Sequence, residues 1–199
     1  MLIGEYGKFV YLTYFGSAMA LLGIYFILQG QLVWGMSLFI ISGLCDLFDG
    51  MVARSFKRTK AQEQFGIEID SLCDMINFAA FPAVICMTQG KITWLAIVLA
   101  IMYVLAAVTR LAYFNRETKE ERQGYFRGVP VTYAALIFPV GYLLSEWLVA
   151  GSFGIVVLLL TPCLAFFFVW DIKIPKPNKK MYIFFLLLAI VTLVALWSL

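Results

Sequence analysis

Four aspartates are the residues of this chain best placed to do chemistry. Asp46 and Asp49 stand three residues apart, and Asp70 and Asp74 four apart. At either spacing two side chains share one face of a helix. Both pairs lie at the ends of strongly apolar segments. A bare carboxylate at the centre of such a span costs about 2.5–3.5 kcal/mol, less toward the interface. Asp is favoured in the first turn of a helix, which accounts for Asp70 but not for Asp46 and Asp49. A positive partner is therefore expected. The chain has no histidine, and its four cysteines, Cys45, Cys73, Cys86 and Cys163, sit singly in apolar runs with no C-x-x-C pair. They read as buried filler. Oxygen donors without His or Cys select hard divalent cations, Mg²⁺ or Mn²⁺. Two such ions about 3.5–4 Å apart are the usual clamp for displacement at phosphorus. Gly50 follows Asp49 and lets a ligand approach the helix, Gly66 is placed to do the same, and Ala53 keeps that face shallow. Glu68 is turned away from Asp70 and is left out of the set.

The elements that must carry these residues are membrane spans. Hydrophobic residues make up 63% of the 199 and charged ones 14%. Soluble domains carry about 25% charge. This composition excludes disorder and an ordinary water-soluble domain. Apolar runs cover 8–28, 31–48, 67–88, 92–114, 129–149, 153–170 and 181–198. Each falls in the roughly 17–25 residues that cross a bilayer as a helix. The prediction is a single all-α integral membrane domain over 1–199. The first run holds the small residues Gly16 to Ala20 but stays apolar through Leu28, so it reads as a span and not a leader. Gln29-Gly30 and Gln89-Gly90 read as turns, and the stretch from Ile172 to Pro177 as a stiff extended connector. Pro82, Pro139 and Pro162 fall inside spans. No internal repeat is visible.

Charge sets the orientation. With the amino terminus on the cytoplasmic side, all of the 15 Lys and Arg except Lys91 fall on that side. Both aspartate pairs then face the cytoplasm, joined by a basic loop. A basic rim suits lipid headgroups and phosphates, and nothing in the chain asks for nucleic acid.

At these residues a resemblance becomes visible. Asp46-Leu-Phe-Asp49-Gly50-Met-Val-Ala53-Arg54, followed by Gly66-Ile-Glu-Ile-Asp70-Ser-Leu-Cys-Asp74, resembles the D-x-x-D-G-x-x-A-R…G-x-x-x-D-x-x-x-D motif of the CDP-alcohol phosphotransferases, with every fixed position present. The spacer, Ser55 to Phe65, is longer than is usual there. The resemblance implies a six-helix core, here with an extra carboxy-terminal span, and a homodimer. It implies transfer of a substituted phosphate from a CDP-linked donor to an alcohol, with release of CMP. By position, Asp46, Asp49 and Asp70 would hold two divalent cations. Asp74 would contact a metal and take the proton of the acceptor hydroxyl. Gly50, Ala53, Arg54 and Gly66 would lie against the nucleotide, with Thr13 and Ser17, one turn apart on the first span, lining the same side.

Within that family, Asp70-Ser71-Leu72-Cys73-Asp74, Phe81-Pro82-Ala83, the run from Arg110 to Asn115, and Tyr125-Phe126-Arg127-Gly128-Val129-Pro130 resemble the membrane-embedded phosphatidylserine synthases. CDP-diacylglycerol and L-serine would then be the substrates. Arg110, near the cytoplasmic end of a span, needs an anionic partner, and a donor phosphate or the serine carboxylate would serve. Asn115 and Arg127 are candidates for the same pocket. Inositol, inositol phosphate or glycerol phosphate are alternative acceptors. An ion-coupled transporter is a remote alternative, because transporters tend to show repeats and midplane sites.

Overall fold

The computed structural model describes residues 3–5, 7–120, 125–175 and 178–199. Arg122 and Lys176 of the expected basic rim lie outside them. The chain is an all-α polytopic bundle with one small β ribbon. A short 3₁₀ turn, Lys8–Val10, leads into α1, Tyr11–Leu28. Next come α2, Leu32–Arg54, and α3, Lys60–Asp74. A π-helical turn, Met75–Ala80, joins α3 to α4, Phe81–Gln89. Then α5 runs Thr93–Glu120, α6 Ala134–Leu148, α7 Phe153–Val169 and α8 Lys179–Leu196. Among the described residues, five helical segments, Lys8–Leu28, Leu32–Arg54, Lys60–Gln89, Thr93–Arg116 and Val131–Leu148, are long and apolar enough to cross a membrane. Phe153–Val169 and Lys180–Leu196 are apolar but shorter.

Helices coincide with the seven expected apolar runs, with different ends, and five of them are long enough to be candidate crossings. The run 31–48 stops where polar residues begin, but α2 continues to Arg54, so Asp46, Asp49 and Gly50 are all helical. The third crossing begins at Lys60, not at 67. Thr59 starts it with a capping box: its Oγ1 accepts from the Gln62 amide at 3.2 Å, and Gln62 Oε1 accepts from the Thr59 amide at 3.1 Å. Two otherwise orphaned donors are thereby satisfied. The long spacer is therefore mostly helix, and only Ser55 to Thr59 is loop.

Helices α1 and α2 pack closely because small residues meet. A Cβ on Gly16 would lie 2.9 Å from Cys45 Cβ, and one on Gly43 would collide with Ala135 of α6. The core between the helices is filled by Phe39, Phe78, Phe81, Tyr103, Phe138 and Phe168, all essentially inaccessible. Pro82 has no N–H to give the Phe78 carbonyl four residues earlier. The Tyr103 hydroxyl of α5 donates to that carbonyl instead, at 2.9 Å. Strands β1, Tyr125–Arg127, and β2, Lys173–Pro175, pair antiparallel with Arg127 opposite Lys173. This ribbon ties the α5–α6 loop to the α7–α8 connector. Through Pro175 the connector is extended, as its Ile-Pro step predicts, while the Lys-Pro step lies outside the described residues; the pairing with β1 is not foreshadowed locally.

Candidate functional site

The end of α2 and the α3 helix bring the aspartates together. Asp46, Asp49 and Asp70 each offer a carboxylate oxygen, and these oxygens all lie within 4.8 Å of one another. Asp49 and Asp74 are buried, while Asp46 and Asp70 are half-buried. Asp74 lines the same cavity, of about 240 Å³, and its carboxyl contacts that of Asp46. The donor set is oxygen only, compact and rich in negative charge. It fits divalent cations bound by Asp46, Asp49 and Asp70, with Asp74 adjoining. Glu68 is exposed on another face of α3.

Thr13 sits against this cluster. Its Oγ1 donates to Asp49 Oδ2 at 2.9 Å in a buried bond. The residue expected beside a nucleotide thus also fixes the orientation of one of the clustered carboxylates. Ser17, one turn further along α1, is buried inside the bundle and lines none of the cavities described here.

Two cavities share the aspartate wall. The first runs from the four aspartates past Arg54, Arg110 and Phe114 to Tyr133, Tyr182 and Phe185. The second, of about 260 Å³, is lined by Phe9, Thr13, Ala53, Arg58, Gly66, Ser71 and Asn115 among others. Asp49, Gly50, Arg54, Asp70 and Phe114 belong to both. All four motif residues expected near a nucleotide, Gly50, Ala53, Arg54 and Gly66, therefore meet in the second cavity. A Cβ on Gly50 would come no nearer than 3.5 Å to Arg54 Nη1, and one on Gly66 no nearer than 3.6 Å to Phe9. The protein's own packing leaves room for a side chain at either glycine, unlike at Gly16 or Gly43. The space lies open to a ligand.

Arg110 is buried at 6% exposure and lies over the Phe114 ring, its Cζ 5.4 Å from the centroid. It does not snorkel to the surface. The expected grouping of Arg110, Asn115 and Arg127 divides. Asn115 accepts a hydrogen bond from Ser71 Oγ at 2.9 Å and lines the cavity with Gly66. Arg127 joins Arg110 in a third cavity on the far side of Arg110. The cause is the register of α5: Arg110 and Asn115 are five residues apart and point to different sides of the helix. Tyr182 and Phe185 of α8 were not foreseen as walls. They come from the far end of the chain, and only the fold places them at the aspartates.

Comparison with known proteins agrees with this geometry. A protein from Saccharomyces cerevisiae named CDP-diacylglycerol–serine O-phosphatidyltransferase is 32% identical over 161 residues, covering 70% of this chain and 57% of the relative. One of the same name from Methanocaldococcus jannaschii is 31% identical over 150 residues, covering 74% of this chain and 67% of the relative. A Bacillus subtilis protein, again of that name, is 27% identical over 146 residues, covering 71% and 75%. The chain thus spans little more than half the length of the yeast relative. Residues 10–198 match the sequence profile of the family described as CDP-alcohol phosphatidyltransferase. With the aspartate motif, its cluster and nine-tenths of its length accounted for, the chain belongs to the CDP-alcohol phosphatidyltransferase family.

Proposed function

We propose that the chain transfers a phosphatidyl group from CDP-diacylglycerol to the hydroxyl of L-serine, giving phosphatidylserine and CMP. The observation that carries this reading is the convergence of Asp46, Asp49, Asp70 and Asp74 on one cavity, beside a second cavity lined by the motif glycines. The names of the relatives support serine as acceptor.

Asp46, Asp49 and Asp70 would hold two divalent cations, Mg²⁺ or Mn²⁺, with Asp74 touching one. Bound there, the ions would neutralise the donor pyrophosphate and the charge that develops on departing CMP. The nucleotide lies in the cavity of Gly50, Ala53, Gly66 and Arg54, and the acyl chains stay in lipid. Asp74 takes the proton of the serine hydroxyl as that oxygen attacks the phosphorus bearing the lipid. The new oxygen–phosphorus bond forms as the bond from that phosphorus to the CMP oxygen breaks. A single displacement needs no nucleophile from the protein. Arg110, buried beside the aspartates, faces the anionic groups of donor or acceptor. The clustering of basic residues supports a cytoplasmic orientation for this end of the bundle and for the amino terminus, in the cell membrane. The working unit is a homodimer embedded in membrane lipid.

The test is direct. Purified protein receives CDP-diacylglycerol with L-serine, inositol, inositol phosphate or glycerol phosphate, and CMP release is measured. Release with serine well above the others is expected. Release with another alcohol alone would overturn the acceptor, and none with any would overturn the reaction.

A further inference from the structure

A third cavity, of about 300 Å³, lies between the end of α5, the β ribbon and the end of α7. Among the described residues, Arg110 alone lines both it and the aspartate cavity. Its walls are built with care. Gly128 has φ +71°, and a Cβ there would come within 2.6 Å of the Phe168 carbonyl and 3.4 Å of Arg110 Cδ and Nε. Only glycine lets the chain pass between α7 and Arg110 at this point. The Gly128 amide donates to the Ile172 carbonyl at 2.8 Å, and the Val129 amide to that of Phe167 at 3.1 Å. These bonds hold the end of β1 against the last turn of α7 and the residue just before β2. The result is to set two opposite charges at the mouth of the cavity: Arg127 Nη1 stands 3.7 Å from Asp171 Oδ2 and donates to the Tyr113 hydroxyl at 3.3 Å.

We propose that this cavity is the port of a zwitterionic acceptor, with Arg127 receiving its carboxylate, Asp171 its ammonium, and Arg110 the inner wall from which it passes to the aspartates. This rests on the transfer to serine proposed above and adds Asp171 as a specificity-determining residue. A free amino acid carries both charges a few ångströms apart, which matches an arginine and an aspartate at 3.7 Å. Arg can hold a carboxylate through two parallel hydrogen bonds. Asp171 has a second effect: its negative charge repels a phosphomonoester such as glycerol phosphate or inositol phosphate. Selection by attraction and repulsion together is the usual way for one site to separate similar ligands. Inositol, with no charge, draws on neither.

The experiment is steady-state CMP release by the full chain at saturating CDP-diacylglycerol. L-Serine and 3-hydroxypropanoate, which is serine without its ammonium group, are varied as acceptors. The Asp171 side chain is 71% exposed, so its substitution leaves the bundle intact. Asp171→Asn is expected to raise KM for L-serine about three- to tenfold, at the lower end of a charge-assisted contact because water reaches it. Turnover at saturating serine and KM for CDP-diacylglycerol stay near wild type, as for a group that binds equally in ground and transition states. Asp171→Glu restores part of the loss, and Asp171→Asn shrinks the preference for serine over 3-hydroxypropanoate by a similar factor. An unchanged KM for serine, or an equal loss with both acceptors, overturns the port. If the wild-type chain releases CMP with another alcohol and not with serine, the transfer reading itself has failed, a result distinct from either.

Discussion

Removing the Thr13 hydroxyl should weaken metal binding without touching a metal ligand. Thr13 Oγ1 donates to Asp49 Oδ2 at 2.9 Å, and both residues are buried. Thr13→Val keeps the shape and deletes the donor. A buried hydrogen bond to a charged group is worth about 1.5–3 kcal/mol. At 1.36 kcal/mol per tenfold, that range corresponds to a factor of about 10 to 160. The loss appears in the cation requirement, because the hydroxyl orients an oxygen of the trio proposed to hold the metal. CMP release is measured against Mg²⁺ or Mn²⁺ concentration at saturating substrates. The half-saturating concentration should rise by that factor, and saturating metal should recover most of the turnover. Thr13→Ser, which keeps the hydroxyl, should stay within about threefold of wild type. A Thr13→Val protein that melts like wild type yet shows an unchanged metal midpoint would refute the assignment of Thr13 to Asp49. A loss in Thr13→Ser with Thr13→Val unaffected would point to the methyl group instead.

The other expectations concern the base, the glycines and the buried tyrosine. Asp74→Asn should lose turnover by a factor of about 100 or more while the trio of Asp46, Asp49 and Asp70 still binds Mn²⁺, as a general base contributes roughly 10²–10⁴-fold; full turnover with metal bound refutes the base, and activity that survives EDTA refutes the metal. Gly43→Ala should destabilise by about 1–3 kcal/mol, since its Cβ collides with Ala135, whereas Gly66→Ala should melt like wild type and raise KM for CDP-diacylglycerol. Tyr103→Phe should cost about 1–3 kcal/mol by stranding the buried Phe78 carbonyl, read as a lower melting temperature in detergent.

How much could be read without coordinates depended on the range of the signal. The aspartates were legible because two i, i+3 and i, i+4 pairs of acids interrupt apolar runs, which only a compensating charge explains. The spans were legible for the same reason in reverse. Their ends were not, because hydropathy reports where the apolar residues stop, whereas α2 continues past them through Gly50 to Arg54. The division of Asn115 from Arg127 was hidden too. Asn115 closes one span and Arg127 sits in the loop before the next, and only the rotation of α5 and a strand pairing between distant segments set them on different sides of Arg110. Asp171 looked like an ordinary loop acid until β1 and β2 paired and set it across from Arg127.

The register between the aspartates and Arg110 has a physical origin away from both. On α5 the residues Ala96, Ala100, Tyr103, Ala107 and Arg110 are all buried, at steps of three and four, so they form one continuous face. Arg110 lies two turns beyond Tyr103 on that face. The Tyr103 hydroxyl is bound to the Phe78 carbonyl, the group Pro82 leaves without a donor. Phe78 belongs to the π-helical turn that begins directly after Asp74. One buried hydrogen bond therefore links the helix carrying Asp70 and Asp74 to the helix carrying Arg110. Small alanines above and below Tyr103 let the two helices approach closely enough for it to form. A proline within an apolar span, which alone would weaken the helix, here supplies the acceptor that fixes how far Arg110 stands along the wall of the aspartate cavity.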